Sequence, residues 1–132
     1  MKPPCVLVVG RVLPALRVLV AKRLMEEHNL KLVDAARRMD VTPSAITQYV
    51  KGARGYRLPR RLKANKALEE AVNSIAEELV KDKVNMENVL KKICNTCEAI
   101  RSEELLCEDH IETLPSLKNF GCRLCLREGE KY

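Results

Sequence analysis

The residues with the most chemistry in them sit at one end of the chain. Reading toward the C-terminus they run Cys94-x2-Cys97-x9-Cys107-x2-His110-x11-Cys122-x2-Cys125. Two C-x2-C pairs separated by 24 residues form a metal-site pattern. Each pair lets two thiolates converge on one centre while the intervening chain folds back. The candidate ligands are Cys94, Cys97, Cys107, Cys122 and Cys125. Zinc would be satisfied by Cys94, Cys97, Cys122 and Cys125, or by Cys94, Cys97, Cys107 and His110. An iron-sulfur cluster of the 4Fe-4S type also takes four cysteines, and the fifth can exchange or stand by as a thiol. Ligand arithmetic leaves both open. His110 reads first as an exposed loop histidine, and Cys5, remote in sequence, as a packing residue.

A second constellation lies in LVDAARRMDVTPSAITQYVKG, which spaces its residues as two short helices around a tight turn. A small residue, Ala36, sits where two crossing helices would touch, and Met39, Val41, Ile46 and Val50 supply a shared core. Asp40 occupies the turn, as one of the few residues other than glycine that tolerates a left-handed backbone. Thr42 is placed to cap the next helix, with Pro43 in its first position. With Ile46 and Val50 inward, helical periodicity turns Pro43, Ser44, Thr47, Gln48 and Lys51 outward. Thr42, Pro43, Ser44, Thr47 and Gln48 are therefore expected at a major groove, with Gln48 able to pair bidentately with adenine. Lys51, Arg54, Arg57, Arg60 and Arg61 are expected to grip phosphates.

Charge agrees with that division. Residues 1–66 hold 15 Lys and Arg against 4 Asp and Glu, a net +11, whereas residues 67–132 hold 9 against 14, a net −5. A basic half favours a polyanionic partner, and the acidic half a separate sensor or partner module. With 3% aromatic residues the chain offers few stacking platforms, so double-stranded DNA is expected ahead of single strands. An enzyme is not expected: there is no phosphate loop, and no nucleophile with a plausible base beyond the cysteines. A membrane partner is not expected either, because Gly10, Arg11, Pro14 and Arg17 interrupt the apolar start. Cytoplasmic localisation follows, and there six cysteines are poor candidates for structural disulfides.

The elements that must position these residues are all helical. Residues 1–11 read as an extended lead-in whose CVLVV run could be a strand or a strap. A first helix is expected from Pro14 to about His28, with Asn29 and Leu30 as the turn. Further helices are expected over Leu32 to Met39, Pro43 to about Lys51, Leu62 to Val80, and Met86 to Ile93. Leu68, Ala71, Val72, Ile75, Ala76, Leu79 and Val80 mark an apolar stripe that needs a partner. The expected organisation is all-α: a helix-turn-helix domain over residues 1–58, a linking or dimerisation segment over 59–93, and a cysteine-rich metal module over 94–132.

The central segment resembles the helix-turn-helix of the phage-repressor and xenobiotic-response-element class. The longer string from MKPPC through VLPALR to VTPSAITQYVKGARG is similar to a family of archaeal transcriptional regulators, whose members tend to carry a cysteine cluster after the reading head. The resemblance implies sequence-specific duplex binding as a homodimer on two half-sites, and it adds to the preference for an iron-sulfur cluster over zinc. A regulator needs an input, and a cluster that gains or loses iron, sulfide or an electron supplies one. The alternatives are a zinc-stabilised adaptor of the transcription machinery, a thiol-redox sensing regulator and an electron carrier.

Overall fold

The protein is described here from a computed structural model covering residues 1–51, 60–63, 65–119 and 121–125. Among these residues every regular element is a helix: α1 (Pro4–Leu7), α2 (Leu13–Glu26), α3 (Leu32–Met39), α4 (Pro43–Lys51), α5 (Lys66–Leu79), α6 (Met86–Ser102) and α7 (Cys107–Thr113). Short 3-10 turns occupy Arg60–Leu62 and Pro115–Leu117.

The N-terminal stretch departs from the sequence expectation. Instead of an extended lead-in ending at Pro14, α1, a π turn (Val8–Val12) and α2 form one helix from Pro4 to Glu26. Proline has no N–H and its ring crowds the carbonyl four residues back, which ordinarily breaks a helix. Here the wider turn lies just upstream: the Leu13 N–H reaches five residues back to the Val8 carbonyl, and the helix continues through Pro14.

That helix is long and apolar enough, by length and composition, to cross a membrane, contrary to the expectation that no segment would be. The packing explains the apolarity. Leu16, Val20 and Leu24 enter a large core with Leu68, Val72, Ile75, Leu79, Ile100 and Leu106. Val18 and Ala21 enter a second with Ala36, Ala45, Ile46 and Tyr49. A helix serving two cores is apolar on more than one side.

The large core draws on all three expected stretches, from Leu7 and Leu16 through Leu62 and Leu68 to Ile100 and Leu106. The apolar stripe of α5 is consumed inside the chain, against α2 and α6. It therefore supplies no free surface for a dimer.

Local signals set the helix ends. Asn65 and Asn85 cap α5 and α6, accepting from the Leu68 and Asn88 N–H groups at 3.1 and 3.2 Å. α5 consequently begins at Lys66 instead of Leu62. α6 runs on past Ile93 to Ser102 and stops in a reversed turn at Glu104 (φ 60°). There the Leu105 N–H reaches the Ile100 carbonyl at 3.1 Å, and Leu105 packs on the large core.

Candidate functional site

Two places concentrate the candidate residues: the α3–α4 pair and the cysteine-bearing end. α3 ends in a Schellman turn. Asp40 takes the left-handed conformation (φ 55°, ψ 44°), its N–H bonds the Arg37 carbonyl at 3.2 Å, and the Val41 N–H bonds the Ala36 carbonyl at 3.0 Å. The Thr42 hydroxyl accepts from the Ala45 N–H at 3.1 Å, capping α4. Ala36 is buried to 1% exposure in the small core, which lets α3 and α4 approach closely, and Met39 and Val41 pack at its edge. On the opposite side, the Arg38 guanidinium bonds the Leu79 and Lys81 carbonyls at 2.9 and 2.6 Å, fastening α3 to the end of α5.

The exposed face of α4 is rotated from the expected one. Thr42, Pro43, Ser44 and Lys51 are exposed, whereas Thr47 and Gln48 are half-buried. The Thr47 hydroxyl donates back to the Pro43 carbonyl at 3.1 Å, and the Gln48 Oε1 is buried without a hydrogen-bond partner. The cause is Tyr49, which the sequence reading passed over. Its ring is buried with Ala45 and Ile46, which leaves Gln48 at the margin of the buried sector; the Val50 side chain lies outside the described residues. The i, i+3 spacing of Ile46 and Tyr49 was the available signal. Among the basic residues, Arg54, Arg57 and the Arg60 side chain lie outside the described residues. Arg61 is half-exposed and paired with Glu108 of α7 at 3.2 Å.

At the other end, Cys94 and Cys97 lie not on a loop knuckle but within α6, one turn apart, so both face the same side. Cys107 begins α7, and Cys122 and Cys125 lie in the irregular tail. Burial pushes the Cys97 thiol up; the Arg101 guanidinium opposes this, and Cys94, Cys5 and Cys125 add to it. Burial also raises the Cys107 thiol, with Cys125, Glu104 and Cys122 adding and Arg61 opposing. Among the described residues no three His, Cys, Asp or Glu side chains stand close enough to share one ion.

Two assignments change. His110 is buried in α7, not exposed in a loop, and its Nε2 is engaged with the Lys2 carbonyl. Cys5 is exposed, so it is not a packing residue. Its placement follows from the helix starting at Pro4, for which proline in the first helical position was the sequence signal.

α7 is clamped to the N-terminal helix. Arg11 pairs with Asp109 at 2.9 Å, the two side chains 24% and 9% exposed. No protein-family model, curated protein or solved structure matches the chain.

Proposed function

We propose that the protein is a DNA-binding transcriptional regulator in which α3 and α4 act as a helix-turn-helix and the cysteines hold a metal centre that adjusts DNA affinity. The observation that carries this reading is the capped N-terminus of α4. Thr42, Pro43 and Ser44 stand exposed on a helix whose other face is locked by Ala45, Ile46 and Tyr49. A helix entering the major groove makes its base contacts from that end, and N–H groups at a helix start favour phosphate. Ser44 and Thr42 take over from Gln48 as the first candidates for base edges, and Lys51 is the described phosphate contact. The net +11 of residues 1–66 supports a polyanionic partner.

The donor chemistry fits a thiolate-bound metal. Several soft thiols suit an iron-sulfur cluster, and equally a four-thiolate zinc site. Cys94 and Cys97 on one helical face, with Cys107, Cys122 and Cys125, would hold it. Bound there, an iron-sulfur cluster would supply a redox- or iron-sensitive charge. The Arg61–Glu108 pair offers a route from that end to the DNA, because Glu108 follows Cys107 and competes with phosphate for Arg61. A homodimer remains the expectation of the resemblance, with a surface other than the α5 stripe.

The test is selection from random duplexes, followed by binding across a salt series. A recovered motif, with affinity falling steeply as salt rises, is the expected result. Uniform binding to all duplexes would remove the sequence-reading role, and equal affinity with and without metal would remove the control.

A further inference from the structure

α7 carries two acidic residues side by side in its first turn, and each meets an arginine from the basic half of the chain. The Glu108 carboxylate pairs with Arg61 at 3.2 Å, and Asp109 pairs with Arg11 at 2.9 Å. The two pairs differ in burial and therefore in duty. The Asp109 side chain is 9% exposed, and next to it the His110 ring engages the Lys2 carbonyl, so these two neighbours seat α7 on the N-terminal helix. Glu108 and Arg61 are each about half exposed, and an ion pair in that setting adds little to stability. Its consequence lies elsewhere: with α7 seated through Asp109 and His110, the Glu108 carboxylate is held beside Arg61 before any other anion arrives. The seat is itself incomplete. Among the described residues the Asp109 Oδ2 is buried without a hydrogen-bond partner, and a desolvated carboxylate oxygen left unpaired weighs against the docked state. α7 is thus held by few ties, one of them imperfect, and is displaced at modest cost.

We propose that docked α7 is an autoinhibitory element: Glu108 takes the place of a DNA phosphate on Arg61, and release of α7 raises affinity for duplex DNA. The inference rests on the DNA-binding reading above and fixes the direction of control, because it makes the docked state the weaker binder. The opposite sign would follow if Glu108 merely ordered Arg61 for phosphate, since breaking the pair would then weaken binding.

Binding of the full chain to a short mixed-sequence duplex, measured over a salt series, tests this. Glu108→Gln should bind about two- to fivefold more tightly at low salt, the gain that an exposed pair allows. It should also steepen the slope of log affinity against log salt by about one, as Arg61 turns to phosphate. Glu103→Gln makes the same charge change at the exposed end of α6; it is the reference for a general field effect and should give less. In an Arg61→Ala background the excess of Glu108→Gln over Glu103→Gln should vanish. Arg11→Ala should tighten binding too, although it removes a positive charge from the basic half, because it unseats α7. Equal effects of Glu108→Gln and Glu103→Gln, or an excess that survives the loss of Arg61, would overturn the proposal and leave DNA binding intact. So would weaker binding by Arg11→Ala once hydrogen exchange shows α7 released. If wild type binds no duplex at any salt, the DNA-binding reading itself fails and this proposal falls with it.

Discussion

The α3–α4 pair and the cysteine-bearing end are both built from short segments, but different forces hold them. In α3–α4 the turn and the cap are local, a left-handed Asp40 and a Thr42 cap three residues from its partner N–H, while Val18 and Ala21 of α2 and the Arg38 bonds to Leu79 and Lys81 seat the pair. In the cysteine end the determinants are remote. Arg11 meets Asp109 and Lys2 meets His110 across most of the chain. A turn and a cap set by neighbouring residues keep the local shape of the pair even when distant contacts shift. A unit held by a few long-range ties can change state, and that suits a sensor better than a reader.

The largest expected effect tests the rigidity of the first region. Ile46→Ala should cost about 2–5 kcal/mol in denaturant unfolding, because Ile46 is fully buried in the small core. A cost below about 1 kcal/mol would show that the pair is loosely packed and would blur the contrast. Next comes the tie in the second region. Arg11→Ala leaves the buried Asp109 carboxylate without its partner, with an expected loss of about 1–3 kcal/mol. Hydrogen exchange should then rise in α7 while α3 and α4 stay protected. Equal exchange in both would mean that the two regions unfold as one.

Thr42→Ala removes the α4 cap and should cost about 1 kcal/mol by thermal or chemical unfolding, with cobalt binding unaffected. The pH dependence sharpens the other side. Metal binding requires thiolates, and burial holds the Cys97 and Cys107 thiols protonated to higher pH than usual, so binding must displace protons at neutral pH. Cobalt affinity should therefore rise with pH up to and beyond the ordinary thiol range, and a flat profile would argue against thiolate ligation. The smallest effect belongs to the proposed grip: Lys51→Ala should weaken all duplexes alike and reduce the slope of log affinity against log salt by about one.

Much of the helical layout was legible before any coordinates. The spans Leu32–Met39 and Pro43–Lys51, the turn at Asp40 and the Thr42 cap all depend on residues within a few positions of one another. Helical periodicity, caps and left-handed turns are short-range physics, and a single sequence carries them in full. The proposed site was legible as residue types and spacing, but its aim was not. Ser44 is exposed and Gln48 half-buried, and Tyr49 beside them packs with Val18, Ala21 and Ile46 in the small core, which joins α2 to α4.

By itself, then, the sequence determined an all-helical chain, the α3–α4 pair and a cysteine-rich end. The tertiary structure decided that Pro14 lies within a helix instead of starting one, that the α5 stripe is buried by α2 and α6, that His110 is engaged by the backbone at Lys2, and that Cys5 stands exposed on the N-terminal helix. Each of these depends on contacts between residues far apart in the chain. A hydrophobic stripe announces only that it must be covered, and a thiol only that it can bind; which surface or partner meets them is settled when the helices pack.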